Sequence, residues 1–153
     1  MSSFVMRNKV VNAGSPVDIN AAGLDGDYVS LKNWEKCVII IQGGVVGAAS
    51  TITVNKATTV AAAGATAMTF DYWRDTDVSS SDALTQGTAT AALSTGTNNG
   101  QNTVIEIRAE DLGDYDCISL QMSDPGVSSF WSAVYVLQGG RYQNDVPPSA
   151  IID

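Results

Sequence analysis

Lys36-Cys-Val-Ile-Ile-Ile-Gln42 is a continuous apolar run, rich in β-branched residues, that ends at the glycine pair Gly43-Gly44. Its length and composition predict a strand buried on both faces. The next segment, Ser50-Thr-Ile-Thr-Val-Asn-Lys-Ala57, alternates instead. Ile52 and Val54 fall on one face and Thr51, Thr53 and Asn55 on the other, the two-residue period of a half-buried strand. The same period places Met68, Phe70 and Tyr72 together in Ala67–Arg74, and Ile105 with Ile107 opposite Glu106 and Arg108 in Thr103–Arg108. Tyr115–Gln121 and Phe130–Gln138 complete the strong strand signals, with weaker ones at Val17–Ile19, Tyr28–Leu31 and Leu84–Thr90.

Turn-forming clusters separate these runs, Asn98-Asn-Gly100 and Asp124-Pro-Gly126 most clearly. No window carries a sustained helical period. Ala57–Ala67 is alanine-rich, but Thr58, Thr59, Val60 and Gly64 oppose a long helix, and Glu110-Asp-Leu112 is long enough for one short turn. About eight short strands at this spacing predict an all-β protein, an antiparallel β-sandwich or jelly roll with extended terminal arms. The expected division is an N-terminal arm over residues 1–16, the sandwich over 17–140, and a C-terminal extended arm over 141–153.

The last thirteen residues motivate that second arm. Pro147-Pro148 cannot join a sheet interior or a helix, yet the segment finishes on Ile151-Ile152, where a free tail would be polar. Fully stretched it reaches roughly 40 Å, enough to strap its own domain or to cross to a neighbour. The residues expected to bind a partner are therefore Phe4, Val5, Val10 and Val11 at one end, and Arg141, Tyr142, Val146, Pro147, Pro148, Ile151 and Ile152 at the other.

Charge narrows the partners. The chain has 153 residues and a net charge of −8, with only 16% charged residues. Phosphate backbones require clustered Lys and Arg, and Arg7 with Lys9 is the one basic spot, so no nucleic acid is expected. No run approaches the ~20 apolar residues of a membrane helix, and the N-terminus lacks the order of a signal peptide, so no membrane partner is expected either. Cys37 and Cys117 each lie inside an apolar strand; free buried thiols are expected, with a disulfide between neighbouring strands as the alternative.

Catalytic chemistry is poorly provided for. The chain has no histidine, which removes Ser–His and Cys–His nucleophile pairs, imidazole acid–base work and the commonest zinc ligand. Gly43-Gly-Val-Val-Gly47 leads towards another strand and not a helix, and reads as a hairpin connection, not a phosphate loop. Asp75-Thr-Asp-Val-Ser79 begins like a calcium loop, but Ser80 stands where glycine is needed and Gln86 where a bidentate glutamate belongs. Asp71 and Asp82 beside it, and the group Glu110, Asp111, Asp114 and Asp116, read as solvated loop carboxylates. No enzyme activity, metal or cofactor is expected. Trp34, Trp73 and Trp131 are assigned to core or intersubunit packing, with a sugar-stacking platform as the alternative.

Taken in order, a further set of segments carries a likeness: Val17-Asp-Ile-Asn20, Gly26-Asp-Tyr-Val-Ser-Leu-Lys-Asn33, Val38–Gln42, Ile105-Glu-Ile-Arg-Ala-Glu-Asp-Leu112, Asp116-Cys117, Val134-Tyr-Val-Leu137 and Arg141-Tyr142 leading to Pro147–Asp153. This series resembles a group of small virion proteins of tailed bacteriophages, similar to head decoration or cement proteins. The resemblance implies a structural protein, commonly trimeric, that sits on the capsid exterior and bridges subunits of the major capsid protein. It would be assembled in the host cytoplasm. The alternatives are a tail or neck component of the same class of virion, and a carbohydrate-binding sandwich.

Overall fold

The computed structural model describes residues 3–140 and 149–151. One helical turn, α1 (Phe4–Arg7), leads into β1 (Asn8–Asp18), β2 (Leu24–Asp25), β3 (Val29–Ser30), β4 (Lys36–Val46) and β5 (Thr51–Ala57). Then come β6 (Thr66–Ala67), β7 (Phe70–Asp75), β8 (Thr85–Ala89), β9 (Leu93–Ser94) and β10 (Asn102–Arg108). After a 3-10 turn (Ala109–Leu112) the chain makes β11 (Cys117–Met122) and β12 (Ser129–Gln138). Eight of these strands have five residues or more; the other four are two-residue pairings.

Two antiparallel sheets result, as expected of a sandwich. The larger has the order β1-β12-β4-β10-β7-β8. The smaller has β2-β11-β5-β6, with β3 also on β11 and β9 on β5. Alternation decides what each strand buries. Cys37, Ile39 and Ile41 of β4, Ile105 and Ile107 of β10, and Ala133, Tyr135 and Leu137 of β12 point inward from the large sheet. They meet Ile52 and Val54 of β5 and Ile118, Leu120 and Met122 of β11 in one core.

Three local readings change. The apolar run of β4 is buried on one face only: Ile39 and Ile41 are fully enclosed, whereas Ile40 is 39% exposed. The glycine-rich stretch after it is not a hairpin. β4 continues to Val46, and the chain then crosses to the other sheet as β5. Residues 8–18 form an edge strand paired with β12, so the boundary expected at residue 16 falls inside β1. The outward polar residues and Pro16 of that segment had masked a strand that has Ala13 on its buried side. β1 shifts register between Asn12 and Gly14 and again between Gly14 and Val17.

Tyr135 ties the sheets together. Its side chain starts on β12, is fully buried, and reaches across the core, where Leu120 N–H of β11 donates to its Oη at 2.7 Å. Leu120 needs that partner because β11 has its neighbours β2 and β3 on either side of a gap at Gly26–Tyr28. Gly26 fills the gap, donating its N–H to Leu120 C=O at 2.8 Å and accepting from Ser119 Oγ at 2.6 Å. A Cβ on Gly26 would lie 2.6 Å from Tyr135 Oη and 2.7 Å from Leu120 O, so only glycine fits. Burial pushes the Tyr135 phenol pKa well above its ordinary value, which keeps it neutral.

At the other end of the sandwich, Asp18 joins the end of β1 to the start of β12. Its carboxylate accepts from Ser128 Oγ at 2.5 Å, Ser129 N–H at 2.8 Å and Asn20 N–H at 3.1 Å. Ser129 Oγ in turn accepts Gly47 N–H at 3.0 Å, holding the crossover from β4 to β5.

Tyr135→Phe should keep the fold and cost about 1–3 kcal/mol, because it strands the buried Leu120 N–H. Gly26→Ala should destabilise by a similar amount or more, roughly 1–3 kcal/mol, through overpacking. Urea unfolding monitored by tryptophan fluorescence measures both; a neutral Tyr135→Phe would remove the assigned role of the phenol.

Candidate interaction surfaces

The residues expected at the N-terminal end divide into two groups. Phe4 and Val5 are exposed on α1, at 55% and 62%, with Met6 beside them. Val10 is exposed on the outward side of β1, whereas Val11 packs against the core of its own domain. At the C-terminal end, Arg141, Tyr142, Val146, Pro147, Pro148 and Ile152 lie outside the described residues. Ile151 is exposed. Its neighbour Ala150 is buried against the core, and Ser30 N–H of β3 donates to the Ala150 carbonyl at 2.7 Å. That contact answers one question about the C-terminal segment: at Ala150 it rests on its own sandwich. Nothing in the composition singled out this small residue between the prolines and isoleucines.

A larger surface lies on the outward face of the six-stranded sheet. The ladder aligns three rows across it. Val10, Val136, Val38, Glu106 and Asp71 make one row, and Asn12, Val134, Ile40, Val104 and Trp73 the next. Asn8, Gln138, Lys36 and Arg108 border them. Two valine rows, an isoleucine and a tryptophan thus form an apolar field rimmed by amides. Lys36 Nζ and Glu106 Oε1 close an ion pair at 2.9 Å along its margin. The smaller sheet differs: β5 turns Thr51, Thr53 and Asn55 outward, and β11 turns Ser119 and Gln121. Sequence reasoning missed this surface although its signal was present, in an apolar run on β4 too long for a strand with one solvated face.

The tryptophans do not assemble a stacking platform. Trp34 and Trp131 are 4% and 1% exposed, inside the core, and only Trp73 is half-buried at the surface. Phe130, beside Trp131, takes the exposed position at 47%. The acidic residues are engaged in local structure. Asp75 accepts Asp77 N–H at 2.9 Å, and Asp77 accepts the hydroxyls of Ser79 and Ser80. Asp71 accepts from Thr88, and Asp116 and Glu110 pair with Lys32 and Arg108. Hydroxyl hydrogen bonds hold the Asp77 carboxyl below its ordinary pKa. Among the described residues, no three His, Cys, Asp or Glu side chains are grouped to hold a metal ion. No helix is long and apolar enough to cross a membrane.

Cys37 and Cys117 are free and fully buried, and burial drives the Cys37 thiol pKa far upward. Thiol reagents at mildly alkaline pH should modify neither cysteine in the native protein and both in denaturant. Rapid native labelling would contradict the burial. Asp18 gives a pH dependence. The Ser128 hydroxyl, then the Ser129 and Asn20 amides, lower its pKa in the folded chain. Its stabilising contribution is therefore complete above the ordinary carboxylate range and is lost as pH falls through the depressed folded value. Asp18→Asn should be less stable than the parent at neutral pH, with the gap in urea midpoint narrowing in acid. A gap independent of pH would exclude the charge as its source.

No family model and no curated protein sequence matches the chain. Among solved structures, its fold is similar to that in the crystal structure of SPBc2 prophage-derived protein YomS. The match has a TM-score of 0.52 at 8% sequence identity and covers 86% of this chain and 93% of that one. At that identity the likeness is one of architecture: the chain shares its two-sheet fold with a prophage-derived protein.

Proposed function

We propose that the chain is a non-enzymatic structural protein of a tailed-bacteriophage virion, and that it decorates the capsid exterior by bridging major capsid subunits. The observation that carries the reading is the fold shared with a prophage-derived protein over most of both chains. The sequence resemblance to head decoration proteins supplies the finer assignment to the shell. A capsid under internal pressure gains from every added contact that buries apolar area between its subunits. The exposed Phe4 and Val5 at one end of this chain, and Ile151 at the other, are suited to that work because they stand free of the core. The chain's net charge of −8 favours a basic surface on the partner.

Removing residues 147–153 tests the role. The truncated protein should keep the strand signature in circular dichroism, melt at a lower temperature because the Ser30–Ala150 contact is gone, and occupy particles less. Occupancy equal to that of the intact chain would exclude the C-terminal segment from binding. A reconstruction with the protein on the tail or neck would overturn the capsid placement.

A further inference from the structure

We propose that the outward face of the six-stranded sheet, centred on Ile40, Val38 and Val10, is where copies of this chain pack against one another. The first argument is the mismatch between sequence and exposure. β4 has the composition of a strand buried on both faces, yet its own domain encloses one, and Ile40 and Val10 remain 39% and 55% exposed. Monomers rarely leave a contiguous apolar field uncovered.

Charge selects the occupant. The three rows of this face hold Lys36 and Arg108 against Glu106 and Asp71, two positive and two negative, so the face is neutral on a chain of net charge −8. Two copies repel each other least when they meet through such a face. A basic partner finds no unbalanced carboxylate there and is better served elsewhere on the surface. The rim residues Asn8, Asn12 and Gln138 each offer donors and acceptors, so they can pair with their own kind.

Size is sufficient. Five strands spaced ~4.8 Å apart, over about seven residues rising ~3.3 Å each, make a face of roughly 550 Å². Two such faces bury about 1,100 Å², at the threshold for a specific interface, and sheets stack at ~10 Å through side chains of this kind.

The inference deepens the assembly reading above, but it is tested in solution without particles, so its failure and a failure of capsid binding are read separately. Sedimentation from low to high micromolar concentration should show the parent chain as a defined oligomer. Ile40→Asp and, on the edge strand, Val10→Glu should each sediment as single chains with unchanged circular dichroism. Val45→Glu, an exposed position outside the three rows, should still associate. Over the same range the emission of parental Trp73 should move to the blue as the face is covered, a readout that needs no variant at the interface. A monomeric parent, a folded Ile40→Asp or Val10→Glu that still associates, or unchanged emission would overturn the proposal.

Discussion

The two sheets are held in register by one buried phenol. Hydrophobic contact between them is non-directional and tolerates sliding, whereas a hydrogen bond across the core does not. Tyr135 Oη at 2.7 Å from Leu120 N–H fixes where the centre of the large sheet lies over β11. The position follows from a defect in the small sheet. β11 loses strand pairing between β2 and β3, leaving an amide that must find an acceptor in an interior without water. A phenol reaching from the opposite sheet supplies it, and glycine at residue 26 leaves the room. The arrangement depends on Tyr135 staying uncharged, which its burial ensures.

The distribution of polarity follows from that sandwich. Charges collect at strand ends and in loops, where Asp18 and Asp77 accept several hydrogen bonds each and serve as local fasteners. The centres of the strands carry almost none. Low charge in the strands leaves one sheet with a Thr/Asn/Ser outward surface and the other with a Val/Ile one. The two faces of the molecule are thus chemically unequal although both belong to the same kind of sheet.

Strands with a clean two-residue period were legible from the residues alone: β5, β10 and β12 lie where Ile52/Val54, Ile105/Ile107 and the Phe130–Gln138 run place them. The short 3-10 turn at Ala109–Leu112 was legible as well. β1 was not, because its bulges interrupt the alternation on which such a reading rests. Two-residue pairings such as β3 or β9 exist only through their partners and leave no local trace. The exposed Phe4, Val5 and Ile151 were visible as apolar residues in the wrong company. The anchoring of Ala150 was not, since its burial is set by the distant Ser30 amide.

The irregularity of β1 bears on how the protein can grow into larger structures. An edge strand of eleven residues would ordinarily offer a row of free amides and carbonyls to any passing chain. Here two register shifts within six residues, with Pro16 in the second, twist that row and interrupt its donors. Such an edge is a poor template for runaway strand addition. Aggregation into fibres is blocked along the sheet, and any ordered assembly is directed to contacts that close upon themselves.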